Sequence, residues 1–287
     1  MIFQYKIPRN RIKLYYNNLK KAVEERELQE FYNHEKIIEI ANSFGKKIEQ
    51  VSENWNLDMD IAIELTRLAL YDIIIFADDS GSMVLEENGQ RTTDLNNVIS
   101  HTAYISSLFD DNGIEVRFIN SSIQGNSIRN ENEVKKLVSS VNFKGLTPLG
   151  SNLKTKVLEP LVLKPAREKK LKKPVLVIII TDGVPTGENP LILEKTIKNA
   201  KSDLSKTKYG SGALGLQFAQ VGNDIPARDF LAKLDVDPEV GGMVDCTSNY
   251  EIEKEEMESL GTELTYETWL VKMFLGAIDP KYDEMDE

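Results

Sequence analysis

The amino-acid sequence predicts an α/β fold in which a mainly parallel central sheet is flanked by helices and carries an N-terminal helical appendage. Three observations lead to this prediction. Two short apolar runs, YDIIIFA (71–77) and PVLVIIIT (174–181), are typical of strands buried on both faces of a parallel sheet. Amphipathic helical segments alternate with such runs from residue 71 onward. The first 70 residues, in contrast, show helical periodicity.

The first 70 residues are predicted to form helices that pack against the rest of the chain. Ile12, Tyr15, Leu19 and Val23 recur at the spacing of one helix face, and Gly45 suits a helix C terminus. No linker rich in glycine, proline or serine follows, so we expect this appendage to be packed rather than loosely tethered. The predicted helical segments cover residues 11–32, 35–44, 46–55 and 57–70.

The domain prediction places the main α/β domain at residues 71–248 and an acidic C-terminal helix and tail at residues 249–287. Apolar runs predict strands, and amphipathic spacing predicts the helices between them. The predicted strands cover residues 71–77, 114–120, 174–181, 213–222 and 241–246. The predicted helices cover residues 94–111, 131–141, 148–162, 189–206, 227–235 and 266–278.

Composition places the chain among ordinary globular proteins. Apolar residues make up 41% of the 287 residues and charged residues 28%. No run of 18 apolar residues is present, which argues against a membrane span, and the first residues lack the apolar stretch of a signal peptide. The single cysteine, Cys246, excludes an internal disulfide and suits a reducing compartment. We therefore predict an intracellular, cytoplasmic protein.

The net charge of −11 lies mostly at the C-terminal end of the sequence. Residues 249–287 hold 12 Asp or Glu residues against 3 lysines. Such an acidic balance argues against non-specific nucleic-acid binding, which needs a basic face. The tail DPKYDEMDE (279–287) has two interpretations: it mediates self-association by offering a carboxylate to a binding site, or it only keeps the chain soluble.

Polar side chains follow the two central apolar runs at the point where each predicted strand ends. Asp78, Ser80 and Ser82 come directly after the first run, and Asp182 follows the second. Thr147, in the loop KGLTPLGSNL, precedes a predicted helix. The carboxyl ends of parallel strands meet at one edge of a sheet, so these side chains should converge. Two carboxylates and three hydroxyls form a set of hard oxygen ligands, which suits Mg²⁺, with Mn²⁺ or Ca²⁺ as alternatives.

The same residues resemble the von Willebrand factor A (vWA) family and its metal-ion-dependent adhesion site (MIDAS). Asp78, Ser80 and Ser82 match the D-x-S-x-S motif, Thr147 matches the separate threonine, and Asp182 matches the distal aspartate, so the motif is complete. The resemblance covers roughly residues 70 to 248. It implies a Rossmann-like vWA fold, in an intracellular vWA-containing protein, whose serines and threonine approach the metal directly.

The preferred function is a divalent-metal-dependent protein interaction module. With only two carboxylates, a six-coordinate Mg²⁺ keeps waters and an open position, which an Asp or Glu carboxylate of a partner protein can fill. The alternative is a Mg²⁺-dependent hydrolase that uses the same ion. A scaffold with a purely structural metal is a third interpretation. No nucleophile paired with a base is evident, so we predict no catalytic residues and no enzymatic activity.

Neighbouring residues receive weaker interpretations. Asp79 occupies the variable position of the motif, and its side chain is expected to point away from the metal. Gly81 is expected to let the backbone turn so that both serine hydroxyls face inward. The loop residues Glu86, Glu87 and Arg91 are interpreted as a solvated charged loop that frames the site rather than as catalytic groups.

Overall fold

The computed structural model describes residues 9–283, and its centre is a six-stranded sheet with strand order β3-β2-β1-β4-β5-β6. Every neighbouring pair of strands is parallel except β2 and β3, which are antiparallel. The predicted fold class, a mainly parallel sheet flanked by helices and preceded by a helical region, is therefore confirmed. The strands are β1 (Asp72–Ala77), β2 (Ile114–Phe118), β3 (Gly125–Ile128), β4 (Val175–Thr181), β5 (Leu214–Gln220) and β6 (Val244–Thr247).

Helices precede the sheet, connect its strands and follow it. The N-terminal helices are α1 (Arg9–Glu25), α2 (His34–Ser43), α3 (Lys47–Asn54) and α4 (Met59–Glu64). The connecting helices are α5 (Ser82–Leu85), α6 (Gln90–Phe109), α7 (Glu131–Ser139), α8 (Leu149–Leu153), α9 (Lys164–Arg167), α10 (Leu191–Ser205) and α11 (Ile225–Asp235). The C-terminal helices are α12 (Tyr250–Ser259), α13 (Tyr266–Leu275) and α14 (Pro280–Asp283).

Tighter or wider helical turns complete these elements. A 3₁₀ helix (Leu65–Leu70) joins α4 to β1, and a π-helical stretch (Lys154–Leu163) joins α8 to α9. Pro160 lies inside the π-helical stretch; proline has no backbone N–H to donate, which disfavours regular α-helical bonding there. Short 3₁₀ turns lie at Glu87–Gly89, Ser211–Ala213, Gly241–Met243 and Gly276–Ile278.

The two faces of the sheet bury different sets of helices. Along β1, Ile73 and Ile75 point into an apolar cluster that also contains residues of α1 to α4, α6 and α13. Ile74 and Phe76 point into a second cluster with α8 and α10 on the opposite face. Alternation along a strand places successive side chains on opposite faces. Residues before and after position 70 belong to the same first cluster. The domain boundaries at 70 and 248 stay predictions.

The order of the strands creates a crevice at the centre of the carboxyl edge. The chain runs from β1 outward to β2 and β3, then returns to place β4 on the other side of β1. Ligand sites in open α/β sheets lie where the strand order reverses in this way. In this fold that point is between the carboxyl ends of β1 and β4.

The sequence-based prediction omits strand β3, helix α12 and the four-residue helices α5, α9 and α14. Strand β3 contains only two buried residues, Gly125 and Ile128, with two exposed residues between them. Helix α12 has one buried residue, Glu253, and therefore no apolar stripe. Strand β3 and helix α12 both lack the hydrophobic periodicity on which the prediction depended.

No helix in the described part of the chain is both long enough and apolar enough to cross a membrane.

Candidate metal centre

Asp78 lies at the carboxyl end of β1 with its side chain completely buried. Its backbone N–H donates to Ile180 O at 2.8 Å, which extends the pairing of β1 with β4 by one residue. Oδ1 accepts from the backbone N–H of Ser80 at 2.9 Å, and Oδ2 accepts from the Thr181 hydroxyl at 2.7 Å. Burial, reinforced by the nearby Asp182 carboxylate, raises the pKa of Asp78 to about 6.

Ser80 lies on the short segment between β1 and α5, and Ser82 is the first residue of α5. Their hydroxyl oxygens are 3.0 Å apart and share a hydrogen bond. Gly81, between them, has the right-handed helical angles φ −66° and ψ −31°. Any L-residue adopts these angles, so the expectation that glycine was needed for a turn at this position was wrong.

The loop that carries Thr147 is joined to the Ser80 segment by main-chain hydrogen bonds. Gly81 N donates to Gly145 O at 3.2 Å, and Lys144 N donates to Asp79 O at 2.8 Å. Thr147 itself is buried and exchanges two hydrogen bonds with Thr186 in the loop after β4, at 2.9 and 3.0 Å. The three loops that carry the predicted ligands are therefore connected at one edge of the sheet.

Asp182, directly after β4, is buried and paired with an arginine. Arg91 Nη1 donates to Asp182 Oδ2 at 2.7 Å, and Arg91 is only 4% exposed. The guanidinium also contacts Glu87 Oε1 at 2.8 and 2.9 Å and Glu86 Oε2 at 2.8 Å. The interpretation of Arg91 as part of a solvated loop was wrong, because its partner Asp182 lies 91 residues away in sequence and draws it into the interior.

Asp79 points away from Ser80 and Ser82 and holds the loop that follows β2. Its carboxylate accepts from the backbone N–H groups of Asn120 at 2.6 Å and Ser121 at 2.7 Å. It is completely buried, so it reaches neither the sheet surface nor solvent. Its role in the structure is to anchor a neighbouring loop, which sequence reasoning did not foresee.

Lys156 holds the same loop from the other side. Its ammonium lies between 2.7 and 3.1 Å from the carbonyl oxygens of the consecutive residues 118–121. The loop in turn contacts the Thr147 loop, because Asn120 Nδ2 donates to Leu146 O at 2.9 Å. Asp79 and Lys156 thus act together on the position of Thr147.

The donor set fits a hard divalent cation. Among residues 9–283, no group of three or more His, Cys, Asp and Glu side chains is arranged to hold a metal. A cation between β1 and β4 would therefore depend on hydroxyl oxygens as well as on carboxylates, and Mg²⁺ and Ca²⁺ accept both. The local charge also favours a cation, because a single arginine, Arg91, faces three carboxylates. These are Asp182, Glu86 and Glu87, and the carboxyl group of Asp78 lies close to Asp182. The residues that would hold the metal are Asp78, Ser80, Ser82, Thr147 and Asp182.

Exposed leucines lie on two sides of this polar group. Leu85, three residues after Ser82, is 83% exposed, and Leu146, directly before Thr147, is 59% exposed. A Cβ atom added at Gly81 would lie 4.0 Å from Leu85 Cδ1 and 3.8 Å from Gly145 O, so the two loops flank Gly81 closely.

Comparison with known proteins gives a limited result. No protein-family model matches the sequence, and no curated protein matches it. Among solved structures, a von Willebrand factor type A protein from Catenulispora acidiphila aligns with 14% sequence identity and a TM-score of 0.40. The alignment covers 66% of this chain and 42% of that chain, so this chain spans less than half of that protein's length. A likeness of this degree carries no conclusion about activity, ligand or partner.

Proposed function

We propose that this chain is a divalent-metal-dependent protein interaction module of the vWA type. In this proposal Asp78, Ser80, Ser82, Thr147 and Asp182 form a MIDAS that holds Mg²⁺, or Mn²⁺ or Ca²⁺ in its place. The bound ion would supply a Lewis-acidic position for a carboxylate of a partner protein. The observation that carries the proposal is the convergence of three loops, with these oxygen donors, at the point where the strand order reverses.

The chemistry of the donors supports binding over catalysis. Three of the five proposed ligands are neutral hydroxyls, and five ligands leave at least one of the six positions of Mg²⁺ open for the carboxylate of an acidic partner. Leu85 and Leu146 offer apolar contact area next to the ion position. A partner segment with an Asp or Glu between apolar residues matches both features.

The hydrolase alternative receives no specific support from the geometry. Arg91, Glu86 and Glu87 were the groups available to assist hydrolysis, and they are paired with one another. Arg91 is also bonded to Asp182 and buried, so it is not placed to contact a substrate. We therefore propose a non-enzymatic role. We also propose a cytoplasmic location, which rests on the single cysteine.

The first test is a calorimetric titration of the metal-stripped chain with MgCl₂. We expect saturable binding at one site that is lost in Asp78→Asn. The matched control is Asp72→Asn, at the opposite end of the same strand, which should bind Mg²⁺ like the wild type. If the wild type does not bind Mg²⁺, Mn²⁺ or Ca²⁺, or if Asp78→Asn binds equally well, the proposed metal centre is wrong.

The second test concerns the acidic ligand. A short peptide with a central glutamate between leucines, and the same peptide with glutamine, are titrated into the Mg²⁺-saturated chain and into the chain with excess chelator. Binding of the glutamate peptide alone, and only with Mg²⁺, is the expected result. Equal binding of both peptides, or binding that survives the chelator, contradicts a role for the carboxylate–metal contact.

A further inference from the structure

We infer that Arg91 is a built-in counter-ion of Asp182 that lowers the affinity of the metal centre for divalent cations. The inference rests on the proposed function, because it concerns the same carboxylate. Arg91 is a positioning residue in this role. It holds Asp182 in place while the centre is metal-free, and its positive charge opposes a cation that approaches Asp182.

The guanidinium of Arg91 is enclosed by carboxylates of the chain itself. One edge faces Asp182, at 2.7 Å, and the other edge faces Glu87 and Glu86, each at 2.8 Å. With 4% of its surface exposed, Arg91 is not accessible to the carboxylate of a partner protein. Its charge therefore acts on the metal centre from inside the molecule, where charge interactions are screened less than at the surface.

Packing keeps the guanidinium close to Asp182. Gly222 lies directly against it, and a Cβ atom at Gly222 would come within 2.5 Å of Arg91 Nε and 2.8 Å of Glu87 Oε1. Asn223 N donates to Glu87 Oε1 at 3.2 Å, which fixes the glutamate on the same side. Because Gly222 and Asn223 close this side, Arg91 stays beside the centre when Asp182 changes partner.

Asp182 has two competing uses in this arrangement. In the structure its Oδ2 accepts from Arg91, whereas the proposed metal centre uses the same carboxylate for a cation. Glu87 and Glu86 already contact the other edge of the guanidinium, so Asp182 can turn toward a cation without leaving Arg91 unpaired. The guanidinium of Arg91 then still repels a divalent cation that is bound to the Asp182 carboxylate.

The same pairs hold an unusual stretch of backbone. Glu87, Asn88 and Gly89 have φ angles of 51°, 53° and 84°, so three consecutive residues are left-handed. Non-glycine residues are strained in this region and persist only when the surroundings hold them. The stretch follows the exposed Leu85. Whether Asp182 binds Arg91 or a cation therefore affects, through Arg91, the loop that borders the proposed partner surface.

The inference is tested by titrating MgCl₂ into the metal-stripped 287-residue chain and three variants. We expect Arg91→Met to bind Mg²⁺ about tenfold more tightly than the wild type or better, because the repulsion is gone. Arg91→Lys keeps the charge and should stay within about threefold of the wild type. The matched control is Arg67→Met, which also removes a buried, ion-paired arginine but at the opposite edge of the sheet, and should leave the Mg²⁺ affinity unchanged.

Thermal unfolding gives a second readout on the same samples. Without metal, Arg91→Met should have a lower Tm than the wild type, because Asp182 and Glu87 lose their counter-ion. Saturating Mg²⁺ should raise the Tm of Arg91→Met more than that of the wild type. For Arg67→Met we expect a lower Tm and the wild-type response to Mg²⁺.

Each outcome bears on the inference. Mg²⁺ affinity of Arg91→Met equal to or weaker than that of the wild type overturns it. If Arg91→Met does not fold, Glu87→Gln replaces it and should bind Mg²⁺ more weakly, because Arg91 then depends more on Asp182; unchanged or tighter binding overturns the inference.

The failure of the inference is distinguishable from the failure of the proposed function. Wild-type binding that is lost in Asp78→Asn, together with unchanged affinity in Arg91→Met, removes only the inference. Binding by the wild type that is lost in Asp78→Asn, together with tighter binding by Arg91→Met, supports both. If neither the wild type nor any variant binds Mg²⁺, the inference and the proposed metal centre are both wrong.

Discussion

Residues 9–283 contain two buried arginine–aspartate pairs, at opposite edges of the sheet. At the amino edge, Arg67 lies in the 3₁₀ helix before β1, with Nε 3.1 Å from Asp279 Oδ2 and Nη1 2.9 Å from Glu25 Oε2. At the carboxyl edge, Arg91 contacts Asp182 and Glu87 at similar distances. The two guanidiniums are 2% and 4% exposed. As isolated pairs they are nearly equivalent.

Their surroundings differ in the balance of charge. Arg67 joins α1 to the segment before α14, so its carboxylates come from the two ends of the chain and the pair holds them together. Arg91 faces Asp182, Glu87 and Glu86, and Asp78 lies close to Asp182. The carboxyl edge thus has more carboxylates than one arginine can neutralise. The comparison teaches that what distinguishes the carboxyl edge is its excess of carboxylates, not the presence of a buried ion pair.

The largest effect is expected from breaking the amino-edge pair. Arg67→Met leaves Asp279 and part of Glu25 without their cation in the interior, which should lower the free energy of unfolding by about 3–5 kcal/mol. Urea denaturation measures this loss. Mg²⁺ should not restore it, since the defect lies at the edge opposite the proposed metal centre. A loss below about 1 kcal/mol would show that the pair does not hold the chain ends together.

The next largest effect is expected in the pH dependence of stability at the carboxyl edge. Because burial and Asp182 raise the pKa of Asp78 to about 6, the folded metal-free chain holds this proton more tightly than the unfolded chain does. The stability contributed by Asp78 is fully present below about pH 4 and is lost as the pH rises through 6. Relative to Asp78→Asn, the metal-free wild type should therefore lose up to about 3 kcal/mol between pH 4 and pH 7. Parallel pH–stability curves for the two proteins would contradict this account.

Gly222→Ala tests the packing around Arg91. Gly222 has φ +76° and no space for a Cβ atom, so the substitution adds strain and pushes on Arg91 and Glu87. We expect a loss of about 2–3 kcal/mol in urea denaturation. Gly261→Ala is the control, because Gly261 has φ +79° but nothing within 4 Å of the added atom, and it should lose only about 1 kcal/mol. Equal losses in the two variants would mean that the contact with Arg91 is not tight.

Thr181→Val gives the smallest predicted effect. It removes the hydroxyl that donates to Asp78 Oδ2 at 2.7 Å while keeping the shape of the side chain. The metal-free chain should lose about 1 kcal/mol at pH 8, where Asp78 is ionised, and less at pH 5. Thr102→Val, which removes a buried hydroxyl bonded to a helix carbonyl, should show no such dependence on pH. A loss that is the same at both pH values would rule out a specific role for the Thr181 hydroxyl toward ionised Asp78.

The sequence was sufficient for five of the six described strands and for the location of the polar cluster. Strands β1 and β4 are continuous apolar runs buried on both faces, a pattern typical of the central strands of a parallel sheet. The rule that parallel strands end at one edge then brings Asp78 and Asp182 together without further information. Helix α12 had a usable signal that was overlooked, because Asn249 caps it and Glu251 and Glu253 lie in its first turn.

The remaining features depend on contacts between residues far apart in sequence. The sequence around Arg91 does not indicate that its partner is Asp182. The neighbouring charged residues Glu86 and Glu87 instead favour the prediction of a solvated loop. The burial of Asp79 depends on two backbone N–H groups 41 and 42 residues away. Such pairings leave no periodic pattern, so hydrophobic spacing does not detect them.

Asp79 and Lys156 hold the loop after β2 through main-chain groups of that loop. Asp79 binds two of its N–H groups, and Lys156 binds three of its carbonyl groups together with the carbonyl of Phe118, the last residue of β2. Every residue except proline presents these groups, so these contacts do not depend on which side chains the loop carries. Replacing Ser121 removes a hydroxyl that accepts from Ile123 N at 3.1 Å, and a saturation library should still find Ser121 more permissive than Asp79 and Lys156. Two residues outside the loop, Asp79 and Lys156, therefore do much to determine its conformation.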